Sequence, residues 1–394
     1  MLSRRPGRSP RASSCDVHSL VAGRALLPYS IGDANKNWLL SLREADVGHI
    51  QSTMWDAFRR CALALLAAVL IPASAAGLTI ESRVDGGSWS SGSRVVSEAG
   101  QELELRVQEV PDATIRWYRI RADLRTRYAN ARSPRRGGGW QGHDRIWYVR
   151  EELRGLRGRW EIAPFRRAIR EHWTDRVRRW LTLRTWRFPL RFRTWQREDV
   201  GTFWFQAEVE REGTVERTPG IESADHRGLS PDVLCVVRRD GDGFLGCLSG
   251  FYNVPGVFGS TLHQSRHHLG VDCADVLVAA WSEHTGRPVE RNWSVALLVD
   301  HLDHVTEFDV KRGRVSPAPP WDETVRPGDL VAVRYRGWAT YGHIGALAGD
   351  TNGNGLVDAG DVVLHAGPLA LAPTLLGKGA FEGHVIVLRF PENF

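Results

Sequence analysis

The stretch HLGVDCADVLVAAW, from His268 to Trp281, sets one cysteine between two aspartates, after a glycine and before an apolar run. Cys273 falls at the predicted start of a helix reaching about Thr285, with Gly286 as its stop. A helix N-terminus carries partial positive charge and unpaired N–H groups, and both stabilise a thiolate. A thiol nucleophile also needs a base within hydrogen-bond reach, held by a third group. His343 opens a short predicted strand in YGHIGAL, and His365 closes the next in VVLHAG. On adjacent antiparallel strands the two would be neighbours, one as base and the other as orienting group. The competing reading is a buried cysteine and two ordinary histidines.

A second candidate chemistry lies between those histidines. DTNGNGLVDAGD places Asp350, Asn352, Asn354, Leu356, Asp358 and Asp361 at loop positions one, three, five, seven, nine and twelve, with Gly355 at six. In a calcium loop the oxygens alternate inward, glycine permits the sharp turn, and the seventh residue offers its carbonyl. Aspartate at position twelve resembles the loops of dockerins and thrombospondin-like repeats. A structural Ca2+ here would hold His343 and His365 in register. The plainer alternative is a polar Asn-Gly hairpin tip. HQSRHH and DHLDH also hold histidines, but neither has a convincing set of metal partners.

The elements that must position these residues belong to a chain of 394 residues, long enough for two or three domains. Hydrophobic content of 42% and charged content of 25% fit a folded protein. The net charge of +6 is almost all arginine, which reflects codon usage as much as binding. Residues 1–53 are Arg/Ser-rich and read as an upstream extension. Residues 54–76 read as a signal peptide: Arg59 and Arg60, an apolar core from Cys61 to Ile71, and Ala73-Ser74-Ala75 for cleavage. The expected location is periplasmic or secreted. Cleavage would leave Cys235, Cys247 and Cys273. The first two flank VVRRDGDGFLG, which reads as a hairpin that would let them pair and leave Cys273 free.

Residues 78–218 are predicted to be β-rich. Trp117 in IRWY and the stretch REDVGTFWFQAEV resemble an immunoglobulin-like sandwich, with Phe203 where a tyrosine is usual. An Arg/Trp-rich insertion, about 128–187, includes the amphipathic PFRRAIREHWTDRVRRWLTL. Two readings are open for it. It packs its tryptophans onto the sandwich, or it grips an anionic envelope polymer; export argues against nucleic acid.

Residues 219–394 carry the sharper likeness. NVPGVFGSTLHQSRHHLGVDCADVLVAAW, RPGDLVAVRY and YGHIGALAGD…VVLHAG follow the motif order of the NlpC-type cysteine peptidases, a papain-like family acting on cell-wall peptides. The resemblance implies Cys273 as nucleophile, His343 as base and His365 as orienter. It implies an α+β papain-like catalytic domain following a β-sandwich (immunoglobulin-like) domain, and peptidoglycan stem peptides as substrate. Departures fall beside the nucleophile: Ala274-Asp275 stands for Ser-Gly, and Pro255-Gly256 for Pro-Tyr, with Tyr252 a substitute for the missing tyrosine. An amidase or acyltransferase of the same fold and a non-catalytic envelope-binding protein are the rival readings.

Overall fold

Alternation of apolar and polar residues produces many of the strands described here, and Gly and Pro punctuation keeps most of the described helices short. A computed structural model describes residues 77–107, 113–130, 145–153 and 197–394. The expected upstream extension, the signal peptide and most of the Arg/Trp-rich insertion lie outside those residues. No helix among the described residues is long and apolar enough to cross a membrane.

The first group of strands is Ile80–Val84 (β1), Arg94–Glu98 (β2), Leu103–Val107 (β3), Thr114–Ala122 (β4), Tyr128–Ala129 (β5), Tyr148–Glu152 (β6), Gly201–Arg211 (β7), Thr214–Arg217 (β8) and Leu234–Arg239 (β9). A six-stranded sheet runs β2-β9-β7-β4-β6, with β8 also on β7. β7 sits at its centre and is buried along most of its length, as expected of a strand covered on both faces. Trp117 and Phe203 are buried together in the core that this sheet shares with the β1–β3 pair. β6, inside the stretch predicted as an insertion, pairs with β4.

The second group begins with Phe244–Ser249 (α1), Val257–Phe258 (β10), Leu262–Arg266 (α2), Cys273–Thr285 (α3) and Val295–His301 (α4). It continues with Asp303–Lys311 (β11), Arg314–Ser316 (β12), Leu330–Arg334 (β13), His343–Gly349 (β14), Val362–His365 (β15), Ala372–Leu375 (β16) and Gly383–Arg389 (β17). Seven of these strands form one antiparallel sheet, β12-β11-β17-β13-β14-β15-β16, curled into a half-barrel. Its residues alternate between two cores. Leu330, Ala332 and Ile344 meet α3, while Val331, Val333 and Val363 meet Phe381 on the other face.

This architecture corrects the expected fold class. Strand makes up 40% and helix 13%, so the molecule is a mostly β protein and not an α+β papain-like fold. Among the described residues only α3 reaches 13 residues; the other α-helices there stop at five to seven. The immunoglobulin-like sandwich is corrected with it. β2 runs parallel to β9, a strand contributed from beyond residue 218, whereas that fold is built of antiparallel sheets. The predicted hairpin around Asp240 is also absent: Cys235 lies on β9, Cys247 lies in α1, and both are free.

Candidate active site

The N-terminus of α3 is built by Asp272, whose side chain accepts from the N–H groups of Ala274 and Asp275. Such a cap contributes about 1 kcal/mol to its helix. Gly286, in the left-handed conformation at φ 72, ends the helix. Cys273 is therefore the first helical residue, half-buried and free. Its backbone N–H belongs to the turn that has no acceptor within the helix. Gly367, at φ 82, faces that N–H: a Cβ there would lie 3.7 Å from the Cys273 nitrogen. Glycine at 367 thus keeps side-chain atoms away from a donor that suits a developing oxyanion.

His343 and His365 meet as neighbours. His343 Nε2 lies 2.9 Å from His365 Nδ1, and the rings stand perpendicular at 4.8 Å. Phe381 packs on both imidazoles, at 5.3 and 5.4 Å. Gly345 makes the approach feasible, because a Cβ there would sit 2.9 Å from the His365 Cβ. Burial, then the neighbouring His365, holds the His343 imidazole well below its usual range. Burial brings His365 down to about 4. Both rings are neutral at ordinary pH, so one donates and the other accepts. His343 Nδ1 remains for another partner.

The thiol makes no hydrogen bond to either ring. It lies against the backbone N–H of Ile344, the residue after His343. Burial raises the thiol pKa strongly, the Asp272 carboxylate adds to the rise, and the Ile344 N–H opposes it. The expected lowering by the helix N-terminus is outweighed in the resting site. Catalytic hydrogen bonds commonly tighten only when substrate binds, so the lack of a thiol–imidazole bond in the resting site is compatible with proton transfer on substrate arrival.

No family model matches the chain, and neither does any curated protein or solved structure. The likeness to the NlpC-type peptidases rests on the order of its short motifs alone. Tyr252, the expected substitute for the missing tyrosine, is fully buried with the Arg197 guanidinium 4.7 Å from its ring centre. Tyr335 is the tyrosine that feels the thiol. Burial and the Cys273 sulfur push its phenol up to about 12, and its Oη donates to Ala380 O at 2.9 Å. Its place at the end of RPGDLVAVRY, just past β13, was the only signal in the sequence.

The loop between β14 and β15 gathers the six predicted ligand positions into one turn. Asp350 accepts from the N–H groups of Gly353, Asn354 and Gly355. The Asn352 and Asn354 amides both donate to Asp358 Oδ2, at 2.9 and 2.6 Å. Leu356 is exposed, and its N–H donates to Asn354 Oδ1. Asp361 is buried and accepts from Thr351 N, Asp358 N and Trp321 Nε1. The donor set fits a hard cation in type, although protein N–H groups already engage much of it. Among the described residues, this loop included, no group of three or more His, Cys, Asp and Glu side chains is arranged to hold a metal ion.

The HQSRHH histidines have other work. His268 is fully buried, stacked on Phe251 at 4.0 Å, and bonded to Thr202 and Glu283. Thr202 Oγ1 donates to Gly250 O, so it must accept from His268 Nδ1–H. Nε2 then meets both the Glu283 carboxylate, at 2.8 Å, and the Arg94 guanidinium, at 3.0 Å. Sequence reasoning missed this cluster because its partners come from β2, β7, β9 and α3.

Proposed function

We propose that this chain is an exported cysteine hydrolase that cleaves amide bonds, with a peptidoglycan stem peptide as substrate. The observation that carries the reading is the 2.9 Å contact of His343 with His365 beside a cysteine at the first turn of α3. In the resting site the thiol keeps its proton and both imidazoles are neutral. Attack then couples two events: His343 Nδ1 takes the thiol proton as sulfur bonds to the carbonyl carbon. The carbonyl oxygen gains charge toward the Cys273 N–H, and His365 steadies the imidazolium. The C–N bond breaks as His343 returns the proton to the leaving amine. Water, deprotonated by the same imidazole, releases the acyl group. Export rests on the Met54–Ala75 segment.

The reading includes a structural Ca2+ in the 350–361 loop. Asp350, Asn352, Asn354, Leu356, Asp358 and Asp361 would hold it. The ion would draw their oxygens together and brace the hairpin that carries both histidines.

The test is hydrolysis of purified cell-wall peptides by the secreted protein. Cys273→Ala should lower kcat by at least about a thousandfold and leave the fold intact. His365→Ala should retain more activity than His343→Ala, because it orients rather than transfers the proton. Equal turnover by Cys273→Ala and the parent would end the hydrolase reading. It would favour the rival envelope-binding protein, which the strongly raised thiol pKa supports.

A further inference from the structure

The N–H that would receive the developing oxyanion sits inside a closed ring of backbone contacts. Val271, shortly before the thiol, is held twice by one neighbouring stretch. Val257 N donates to Val271 O at 2.8 Å, and Val271 N donates to Pro255 O at 3.1 Å. Gly256, between those two contacts, is buried and meets a second stretch. A Cβ there would lie 2.3 Å from both the carbonyl carbon and the carbonyl oxygen of Leu369. The Leu369 carbonyl in turn accepts from Gly367 N at 2.7 Å, and Gly367 is the residue that faces the Cys273 N–H. Asp272 leads from Val271 back to Cys273 and closes the ring.

Gly256 has no positive φ to demand a glycine, so what it provides is room. An ordinary contact between carbon atoms is about 3.5–4 Å, so a methyl at 256 would displace its neighbour by about 1 Å. That neighbour is backbone, which no rotamer change can move aside. The 255–257 side cannot retreat, because Val271 holds it at both ends. Ser260, just beyond it, donates to Asp275 of α3 at 2.6 Å. Val257 and Ala370 also share one small core. The loop carrying Gly367 would therefore give way, and the surroundings of the Cys273 N–H would change with it. We infer that Gly256 is a positioning residue for the oxyanion donor, acting through Leu369 and Gly367. This rests on the reading of Cys273 as the nucleophile.

The experiment compares two reactions of the same thiol in the full chain, each read at the Cys273 peptide by mass spectrometry. With p-nitrophenyl acetate, sulfur bonds to the carbonyl carbon and the carbonyl oxygen gains negative charge. The carbonyl then reforms as p-nitrophenolate leaves, and the thiol proton passes to solvent. With iodoacetamide, sulfur bonds to the methylene carbon as iodide leaves, and no oxyanion forms. The ratio of the two rates cancels thiol exposure and ionisation, and so reports the oxyanion donor. It should exceed the ratio for N-acetylcysteine by at least about tenfold, and Gly256→Ala should bring it close to that reference. Leu369→Ala, which leaves the backbone contact in place, should keep the parent's ratio. If Gly256→Ala does not fold, Ser260→Ala decides: freeing the 255–260 stretch should lower the ratio about threefold. The inference is overturned by a parent ratio no higher than that of N-acetylcysteine, or by a ratio unmoved in the folded variant. An equal fall in Leu369→Ala overturns it too. Turnover of cell-wall peptides is measured separately. A raised ratio that Gly256→Ala abolishes, without such turnover, would keep the positioning role and remove the hydrolase.

Discussion

The two ends of α3 hold acidic side chains in opposite states. At the C-terminal end, Glu283 is largely buried yet ionised far below the usual carboxylate range. Burial alone would raise it, but His268, Arg94 and Arg239 surround it, with Arg239 Nη2 at 2.5 Å and His268 Nε2 at 2.8 Å. At the N-terminal end, Asp275 is buried and Asp272 half-buried beside Cys273 without a cation, and desolvation raises both carboxyls. Their partners are neutral donors: Ser260 Oγ reaches Asp275 at 2.6 Å, and backbone N–H groups serve Asp272. One end is a compensated knot that ties the helix to the six-stranded sheet. The other carries an uncompensated strain next to the thiol, as sites that do chemistry commonly do.

The largest effect should come from breaking the knot. Glu283→Gln leaves two arginines facing each other without a counter-charge. We expect a loss of about 3 kcal/mol, at the low end for a broken buried pair because Arg94 is partly open to water. Urea unfolding measures it, and a loss below about 1 kcal/mol would make the cluster an ordinary surface pair.

The pH response should separate the ends. Glu283 is depressed in the folded state, so its contribution is present above the ordinary carboxylate range. It is lost as pH falls through its lower folded pKa. Asp272 and Asp275 are raised, so the folded state holds protons that the unfolded chain has released. Their effect is a stability that falls as pH climbs out of the ordinary carboxylate range. The slope is about 1.4 kcal/mol per pH unit for each group that still keeps its proton. Asp275→Asn should flatten that decline and leave the acid limb unchanged. An unaltered slope between pH 5 and about pH 8 would show that the pair is not strained as described.

The 350–361 loop is an intermediate case and should give the smallest effect. Asp358 is lowered despite some burial, by the Gly360 N–H and the two asparagine amides, while burial raises Asp361. If Ca2+ supplies the missing positive charge with a Kd near 10⁻⁴ M, millimolar ion should add about 1.4 kcal/mol. Asp350→Ala should abolish that gain. Calorimetry without a calcium signal, and an unchanged Tm in chelator, would leave a loop held by its own hydrogen bonds.

What the sequence made legible was local. α3 starts at Cys273 and stops at Gly286, as its sequence predicts, and HIGAL and VVLH declare neighbouring strands by their apolar runs. The fold class was not legible, because the curl of a sheet and the order of its strands depend on pairings between distant segments. A parallel partner leaves no mark on β2: RVVSE reads the same whichever way β9 runs. FLGCLS looked like the return arm of a hairpin because DGDG precedes it, but its carbonyls and N–H groups close a helical turn instead. Tyr335 and Glu283 were missed for the same reason. Their importance comes from what docks against them.

The parallel pairing of β2 with β9 also sets a timetable. Arg94 stands opposite Cys235, and the same arginine reaches Glu283 near the end of α3. Those partners are far apart in the chain, so the loop that must close is long and its contacts are slow to form. During synthesis the β2 segment emerges well before either partner exists. It must wait without its strand partner until β9 has left the ribosome, and Arg94 waits longer still for α3. The helix bearing the thiol is thus among the pieces that release the first sheet from its exposed state. Substitutions at Arg94 or Glu283 should then lower yield through aggregation of the waiting edge, even where the finished molecule tolerates them.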